Sequence, residues 1–306
     1  MTALVSLTDV VDAASRIAPF IRRTPVIRVE LGGKWVWLKL EQLQVTGSFK
    51  ARGATNAVLT LPTAPAAVVA ASGGNHGLGV AHAAAVVGAT ATVVVPQSVP
   101  DEKARRLTAA GASVVRHGEQ YADAEAHARM LAEALHAPFL HPYDDSAVIA
   151  GQGTAAYEAL HDLDGRADAI LVAVGGGGLI AGTATACRGS GIRVIGVEPV
   201  GIPTLHAALA AGAPVEVEVD SLTASALGAR KTGALNLAIA QRDVEAVALV
   251  TDRDIMAARD LLWDEVRIAV EPAGAAGLAA LLAGAVDVEE PCVVLCGANS
   301  SWTPTP

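Results

Sequence analysis

Ala169-Ile170-Leu171-Val172-Ala173-Val174 runs without a break into Gly175-Gly176-Gly177-Gly178-Leu179 and then into an alanine-rich stretch. Six apolar residues with no polar alternation read as a strand buried on both faces. Strand, small-residue turn and helix together form the repeating unit of a parallel α/β sheet. In such sheets ligands gather where strands end and helices begin. Four consecutive glycines at that junction expose backbone N–H groups to an anion, phosphate foremost. The run fits neither the Gly-x-Gly-x-x-Gly fingerprint nor the Gly-Lys-Ser/Thr ending of a P-loop, and a glycine run alone is weak evidence.

The same alternation continues in both directions. Short β-branched runs predict strands over Val36 to Leu40, Ala67 to Ser72, Ala91 to Val95, Ser113 to Arg116, Arg193 to Val197, Ala246 to Val250 and Cys292 to Leu295. Helical patterns cover Asp101 to Ala110, Tyr121 to Leu135, Asp254 to Ile268 and Ala273 to Leu282. Strand and helix in alternation define an α/β protein with mainly parallel sheets. Neither repeat nor linker marks a domain boundary, although Pro96, Pro100 and Pro142 punctuate the first half.

Composition narrows the function. The 306 residues carry 22 basic and 31 acidic side chains, a formal charge of −9, which is not the basic footprint of a nucleic-acid binder. With 52% hydrophobic and 17% charged residues the chain is too apolar for disorder, and a chain of this length buries roughly 75% of its unfolded surface without disulfides or metal. No turn-free apolar run reaches the ~20 residues of a membrane span. Cys187, Cys292 and Cys296 are few and odd in number, which suits a reducing cytoplasm. Met1 to Ile17 carries Asp9 and Asp12 with no basic start, and so reads as an amphipathic helix capped near Thr8 rather than a signal peptide.

Three further junctions carry unusual residues. Thr46-Gly47-Ser48-Phe49-Lys50-Ala51-Arg52-Gly53 puts a lysine at the start of an apolar helix. Such a lysine is often simply solvated; in a dry pocket its pKa falls and its amine condenses with carbonyls. Ser72-Gly73-Gly74-Asn75-His76-Gly77 follows the strand Ala67 to Ala71 and suits a carboxylate at a helix N-terminus, although a plain turn capped by Asn75 and His76 has the same pattern. Leu295-Cys296-Gly297-Ala298-Asn299 closes the last strand, where a buried cysteine is ordinarily structural.

In this order and spacing the four junctions resemble the fold-type II pyridoxal phosphate enzymes, in particular the serine/threonine dehydratase and serine racemase branch. Leu38-Lys39-Leu40-Glu41, His141-Pro142-Tyr143-Asp144, Ile149 to Thr154, Val197-Glu198-Pro199 and Val270-Glu271-Pro272-Ala273-Gly274 extend the resemblance over nearly the whole chain. The resemblance implies two open twisted, mainly parallel sheets covered by helices, as in the tryptophan synthase β fold. It further implies a small substrate-side domain over 45–141, set into a large cofactor-binding domain built from 1–44 and 142–306. Lys50 would bear pyridoxal 5'-phosphate, with Phe49 beside it, and Gly175, Gly176, Gly177, Gly178 and Leu179 would bind its phosphate. Asn75 would face the ring hydroxyl and Cys296 the ring nitrogen. Ser72, Gly73, Asn75 and His76 would hold the substrate carboxylate. Lys50 would then remove the α-proton and the β-hydroxyl would leave, so that threonine gives 2-oxobutanoate and serine pyruvate, each with ammonia. A homodimer in the cytoplasm, with a small amino acid as its ligand and no nucleic-acid or membrane partner, is the expected setting.

Departures from the pattern leave alternatives open. Serine racemases place a second serine immediately after the position of Ser72, and here that residue is Gly73, which favours dehydration over racemisation. Leu222 to Gly228 replaces an Ala-Asp-Gly pattern linked to a divalent cation site in some members. Asp220, Glu218 and Glu198 are candidate substitutes, but acidic residues are usually solvated, no zinc-like spacing occurs, and no metal is expected. The regulatory extension of biosynthetic threonine dehydratases has no counterpart after Cys296, so control by that route is not expected. A serine racemase, or a dehydratase for 3-hydroxyaspartate or a hydroxyectoine-derived substrate, remains the alternative; Arg230 and Lys231 are adjacent cations of a kind usually solvated, with selection of a second substrate carboxylate as their other reading.

Overall fold

A computed structural model describes residues 4–300. Helix α1 (Leu7–Ile17) leads into the hairpin β1 (Val26–Leu31) and β2 (Lys34–Lys39), and α2 (Lys50–Leu59) follows. Next come β3 (Ala67–Ala71), α3 (Asn75–Val87), β4 (Thr90–Val95), α4 (Asp101–Ala109), β5 (Ala112–Arg116) and α5 (Tyr121–Ala134). The remainder is α6 (Ser146–Leu163), β6 (Ala169–Ala173), α7 (Gly178–Cys187), β7 (Arg193–Pro199), α8 (Thr204–Ala211), α9 (Ala224–Leu227), α10 (Ala234–Asp243), β8 (Ala246–Val250), α11 (Asp252–Val266), α12 (Pro272–Leu282) and β9 (Pro291–Val294). Helix α1 is capped not near Thr8 but by Ser6, whose hydroxyl accepts the Asp9 N–H while the Asp9 carboxylate returns to the Ser6 N–H. Residues 1–3 of the expected first segment lie outside the described residues.

Two sheets form. The larger has the order β1-β2-β9-β6-β7-β8, the smaller β3-β4-β5. Among the described residues the paired strands of these sheets run parallel except β1 with β2, which a two-residue Gly32-Gly33 turn joins as an antiparallel hairpin. Strand β9 slots between β2 and β6, so segments from the two ends of the chain share one sheet. Strand β6 is buried throughout, as its unbroken apolar run predicts.

Abundant alanine and glycine let helices approach the core closely. At the crossing of α6 and α7 a Cβ on Gly182 would stand 2.5 Å from the Ile149 carbonyl and the Gly153 nitrogen, so only glycine permits this contact. A charged cluster fixes α2 from behind. Arg52, fully buried, donates from Nε to Glu41 at 2.7 Å and from Nη1 to Glu158 at 2.8 Å, and Lys39 Nζ reaches Glu158 at 2.7 Å. Two cations and two carboxylates balance, and together they tie α2 to β2 and α6. Lys50 is the first residue of the helix so anchored.

Candidate active site

The turn before Lys50 is stitched to the end of β9. Ser48 and Gly297 form an isolated antiparallel bridge, Phe49 N–H bonds the Cys296 carbonyl at 3.2 Å, and Ala298 N–H bonds the Gly47 carbonyl at 3.0 Å. These links bring Lys50 and Cys296 together from 246 positions apart in sequence. Lys50 Nζ donates to the Pro142 carbonyl at 2.8 Å and lies 5.1 Å from the centre of the Phe49 ring. Part of its surface stays accessible, but surrounding protein strips the ammonium of bulk water and lowers its pKa to about 8. The Cys296 thiol is buried, contacts the Ala273 carbonyl at 3.6 Å, and is pushed upward by burial and by Glu271, so it is neutral.

Between β6 and α7 the glycines form a cradle. Gly177 adopts φ +97°, a left-handed conformation suited to glycine. A Cβ on Gly176 would run into the Tyr143 ring. The first helical bond is Ala181 N–H to the Gly177 carbonyl, so the N–H groups of Gly178, Leu179 and Ile180 precede it and are offered to an anion. The Gly176 carbonyl is held by Thr232 Oγ1 at 3.2 Å and Asn236 Nδ2 at 2.9 Å.

The third junction begins α3. Ser72 Oγ accepts the Gly74 N–H at 3.2 Å, leaving its proton to donate, and the N–H groups of Asn75, His76 and Gly77 precede the first helical bond, Leu78 N–H to the Gly74 carbonyl. Gly73 has no side chain, and a Cβ there would meet Val99 Cγ2 at 2.8 Å. His76 offers the cleft its backbone only. Its Nε2 lies 2.9 Å from the Leu140 carbonyl, which only accepts, so Nε2 carries the proton; burial and Lys50 lower its pKa to about 3. The segment Ser225–Leu227 lies over the cleft, with the Ser225 carbonyl next to Gly74 and Leu227 next to Gly175.

Of the cation-site candidates Glu198, Glu218 and Asp220, Glu198 is engaged by backbone. Glu198 is buried, raised to about 7 by desolvation, and accepts N–H groups of Leu205 and His206 at the start of α8. Among the described residues no group of three His, Cys, Asp or Glu is arranged to hold a metal ion. Arg230 and Lys231 are exposed and contribute backbone carbonyls, to Val217 N–H and Tyr143 Oη respectively. Glu271 and Asn299 lie in motifs in which the sequence assigns them no role, and Arg106 lies within the helical pattern Asp101 to Ala110. They nevertheless line a cleft together with Gly73, Gly74, Asn75, Lys103 and Ser225. Pro272 at the first turn of α12, with Glu271 at its N-cap, was the one local signal.

A lysine of lowered pKa, a glycine cradle at one helix N-terminus and a second free helix N-terminus define a site for a phosphate-bearing carbonyl cofactor and a carboxylate. Residues 17–297 match the family described as pyridoxal-phosphate dependent enzyme, and the chain belongs to that family. A catabolic L-threonine dehydratase of Staphylococcus aureus (strain USA300) is 37% identical over 295 residues, 93% of this chain and 84% of that protein. The crystal structure of a threonine deaminase from T.th. superposes with a TM-score of 0.92 at 38% identity, covering 98% of this chain and all of that one. A serine racemase from Dictyostelium discoideum gives 0.90 at 33% identity, with 98% and 100% covered. The residues present fit pyridoxal phosphate: a side chain at Gly176 would collide with Tyr143, which also packs against Gly178, and Lys50 Nζ sits on the carbonyl of the adjoining Pro142.

Proposed function

We propose that the chain is a pyridoxal-phosphate-dependent ammonia-lyase that converts L-threonine to 2-oxobutanoate and L-serine to pyruvate, each with release of ammonia. The observation that carries this reading is the placement of Lys50, with its amine lowered to about 8 inside the cleft between the β9 terminus and the Pro142 carbonyl. In this reading Lys50 bears the cofactor, with Phe49 alongside. The N–H groups at Gly175 to Leu179 bind the phosphate, and Asn75 and Cys296 stand at the ring hydroxyl and ring nitrogen. When bound, pyridoxal phosphate supplies an electron sink for the α-carbon.

The chain's own groups do the rest. The free N–H groups of α3 and the Ser72 hydroxyl bind and orient the substrate carboxylate. Once the substrate amine displaces it from the cofactor, the freed Lys50 amine accepts the α-proton, and a pKa of about 8 lets it both take and return a proton. The neutral Cys296 thiol leaves the facing nitrogen without an anionic partner. Gly73 offers no hydroxyl on the opposite face, which separates this reading from the serine racemase alternative. The small domain over 45–141, the large domain from 1–44 and 142–306, a homodimer and a cytoplasmic setting belong to the same proposal. Among the described residues no helix is long and apolar enough to cross a membrane.

Incubation with L-serine, L-threonine and 3-hydroxyaspartate, followed by ammonia, 2-oxo acid and chiral analysis, tests the proposal. Equal amounts of ammonia and 2-oxo acid from threonine and serine, with D-serine a minor product, are expected. D-serine formed as fast as pyruvate would favour the racemase, and turnover confined to 3-hydroxyaspartate would move the substrate class.

A further inference from the structure

We infer that Asn299 is a positioning residue, which sets the orientation of the Asn75 amide in the cofactor cleft and is itself clamped by Arg106 of α4. The inference rests on the reading that Asn75 faces the cofactor.

Four side chains form an unbroken chain. Arg106 Nη2 donates to Asn299 Oδ1 at 2.8 Å, Asn299 Nδ2 donates to Asn75 Oδ1 at 2.7 Å, and Asn75 Nδ2 donates to Glu271 Oε1 at 2.6 Å. Asn299 Nδ2 gives its second proton to the Thr46 carbonyl at 2.7 Å. An amide can ordinarily be reversed without changing its shape, so its orientation is decided by its partners. At Asn299 both ends are decided by groups with one possible role. A guanidinium only donates and therefore takes the oxygen; a main-chain carbonyl only accepts and therefore takes the nitrogen.

With Asn299 fixed, Asn75 has no choice. Its oxygen receives the remaining Asn299 proton and its nitrogen faces the Glu271 carboxyl, leaving one Asn75 N–H proton for a group in the cleft. Backbone geometry supports the arrangement. A Cβ on Gly47, which has φ +73°, would stand 2.7 Å from Asn299 Oδ1, so the glycine in the turn before Lys50 makes room for this amide. Asn299 thus touches three parts of the site at once: the turn that leads to Lys50, the start of α3, and α4. Its links to Asn75 and Arg106 run to the helices that flank the smaller sheet, while Asn299 itself follows β9 of the larger.

The test compares the wild-type holoenzyme with Asn299→Ala, Asn299→Asp and Arg106→Leu, recording thermal midpoint, the absorption bands of the bound cofactor, and kcat and KM for L-threonine. Aspartate can still accept from Arg106 but cannot donate to Asn75, so it separates amide orientation from a mere tether. Asn299→Ala and Asn299→Asp are expected to fold, to redistribute the cofactor bands and to lower kcat about tenfold, the equivalent of one lost hydrogen bond. Arg106→Leu is expected to act in the same direction by about threefold, since the Thr46 carbonyl still restrains Asn299. Wild-type bands and kcat in folded Asn299→Asp would overturn the inference, as would an effect of Arg106→Leu that Asn299→Asp lacks. If the Asn299 variants do not fold, Arg106→Leu decides alone, and unchanged bands and kcat there overturn it. A wild-type protein with neither cofactor bands nor 2-oxo acid production would instead defeat the lyase reading itself.

Discussion

His76 shows how one residue's environment fixes its role. Its imidazole is buried against the Leu140 carbonyl and lowered to about 3, so the folded protein keeps it neutral where an unfolded chain titrates near 6.5. Between about pH 6.5 and 3 the unfolded state therefore binds the extra proton, and this residue's contribution to stability falls as pH falls through that window. His76→Gln retains an N–H donor for Leu140 and removes the titration. Urea midpoints at pH 7 and pH 4.5 should thus show the wild type losing more stability on acidification than the glutamine variant; parallel losses would mean that the imidazole is not held neutral. Sequence made His76 conspicuous but could not say which of its atoms faces the cleft, because that depends on Leu140, 64 positions away. Lys50 was easier to read, since the residues around it, Thr46 to Gly53, already describe a turn into a helix.

The elements differ in how openly they declare themselves. Strand β6, its glycine turn and α7 are legible because an apolar run, four glycines and alanines follow one another in a single stretch. Strand β1 is not, since Arg28 and Glu30 interrupt its apolar residues, as an edge strand with one partner allows. The anchor of α2 was equally hidden: Lys39, Glu41, Arg52 and Glu158 make one buried cluster only after β2, α2 and α6 have met. Arg52→Leu would leave Glu41 and part of Glu158 buried without a cation, a loss of roughly 3–5 kcal/mol. Denaturant unfolding of the cofactor-free protein checks this, and a change within experimental error would show the cluster to be dispensable. At the cradle, Gly176→Ala forces its methyl into the Tyr143 ring. Cofactor titration should show weaker pyridoxal phosphate binding with Lys50 intact, and an unaltered affinity would remove the loop from the phosphate site.

At the scale of the whole molecule, the cleft is assembled from ends of elements that belong to both sheets: β9 and β6 of the larger, β3 of the smaller. A ligand seated among them would contact elements of both sheets, and binding to the folded state alone raises stability by about 2.7 kcal/mol at a hundredfold excess over Kd. Added pyridoxal phosphate should accordingly raise the thermal midpoint of the cofactor-free protein, whereas an equal concentration of inorganic phosphate should do so less. In the proposed function Lys50 alone among the five lysines, Lys34, Lys39, Lys50, Lys103 and Lys231, bears the cofactor. Borohydride reduction of the holoenzyme followed by peptide mass mapping tests it directly. One pyridoxyl phosphate adduct is expected, on the peptide containing Lys50; an adduct on any other lysine, or none in a protein that still turns over threonine, would overturn the assignment.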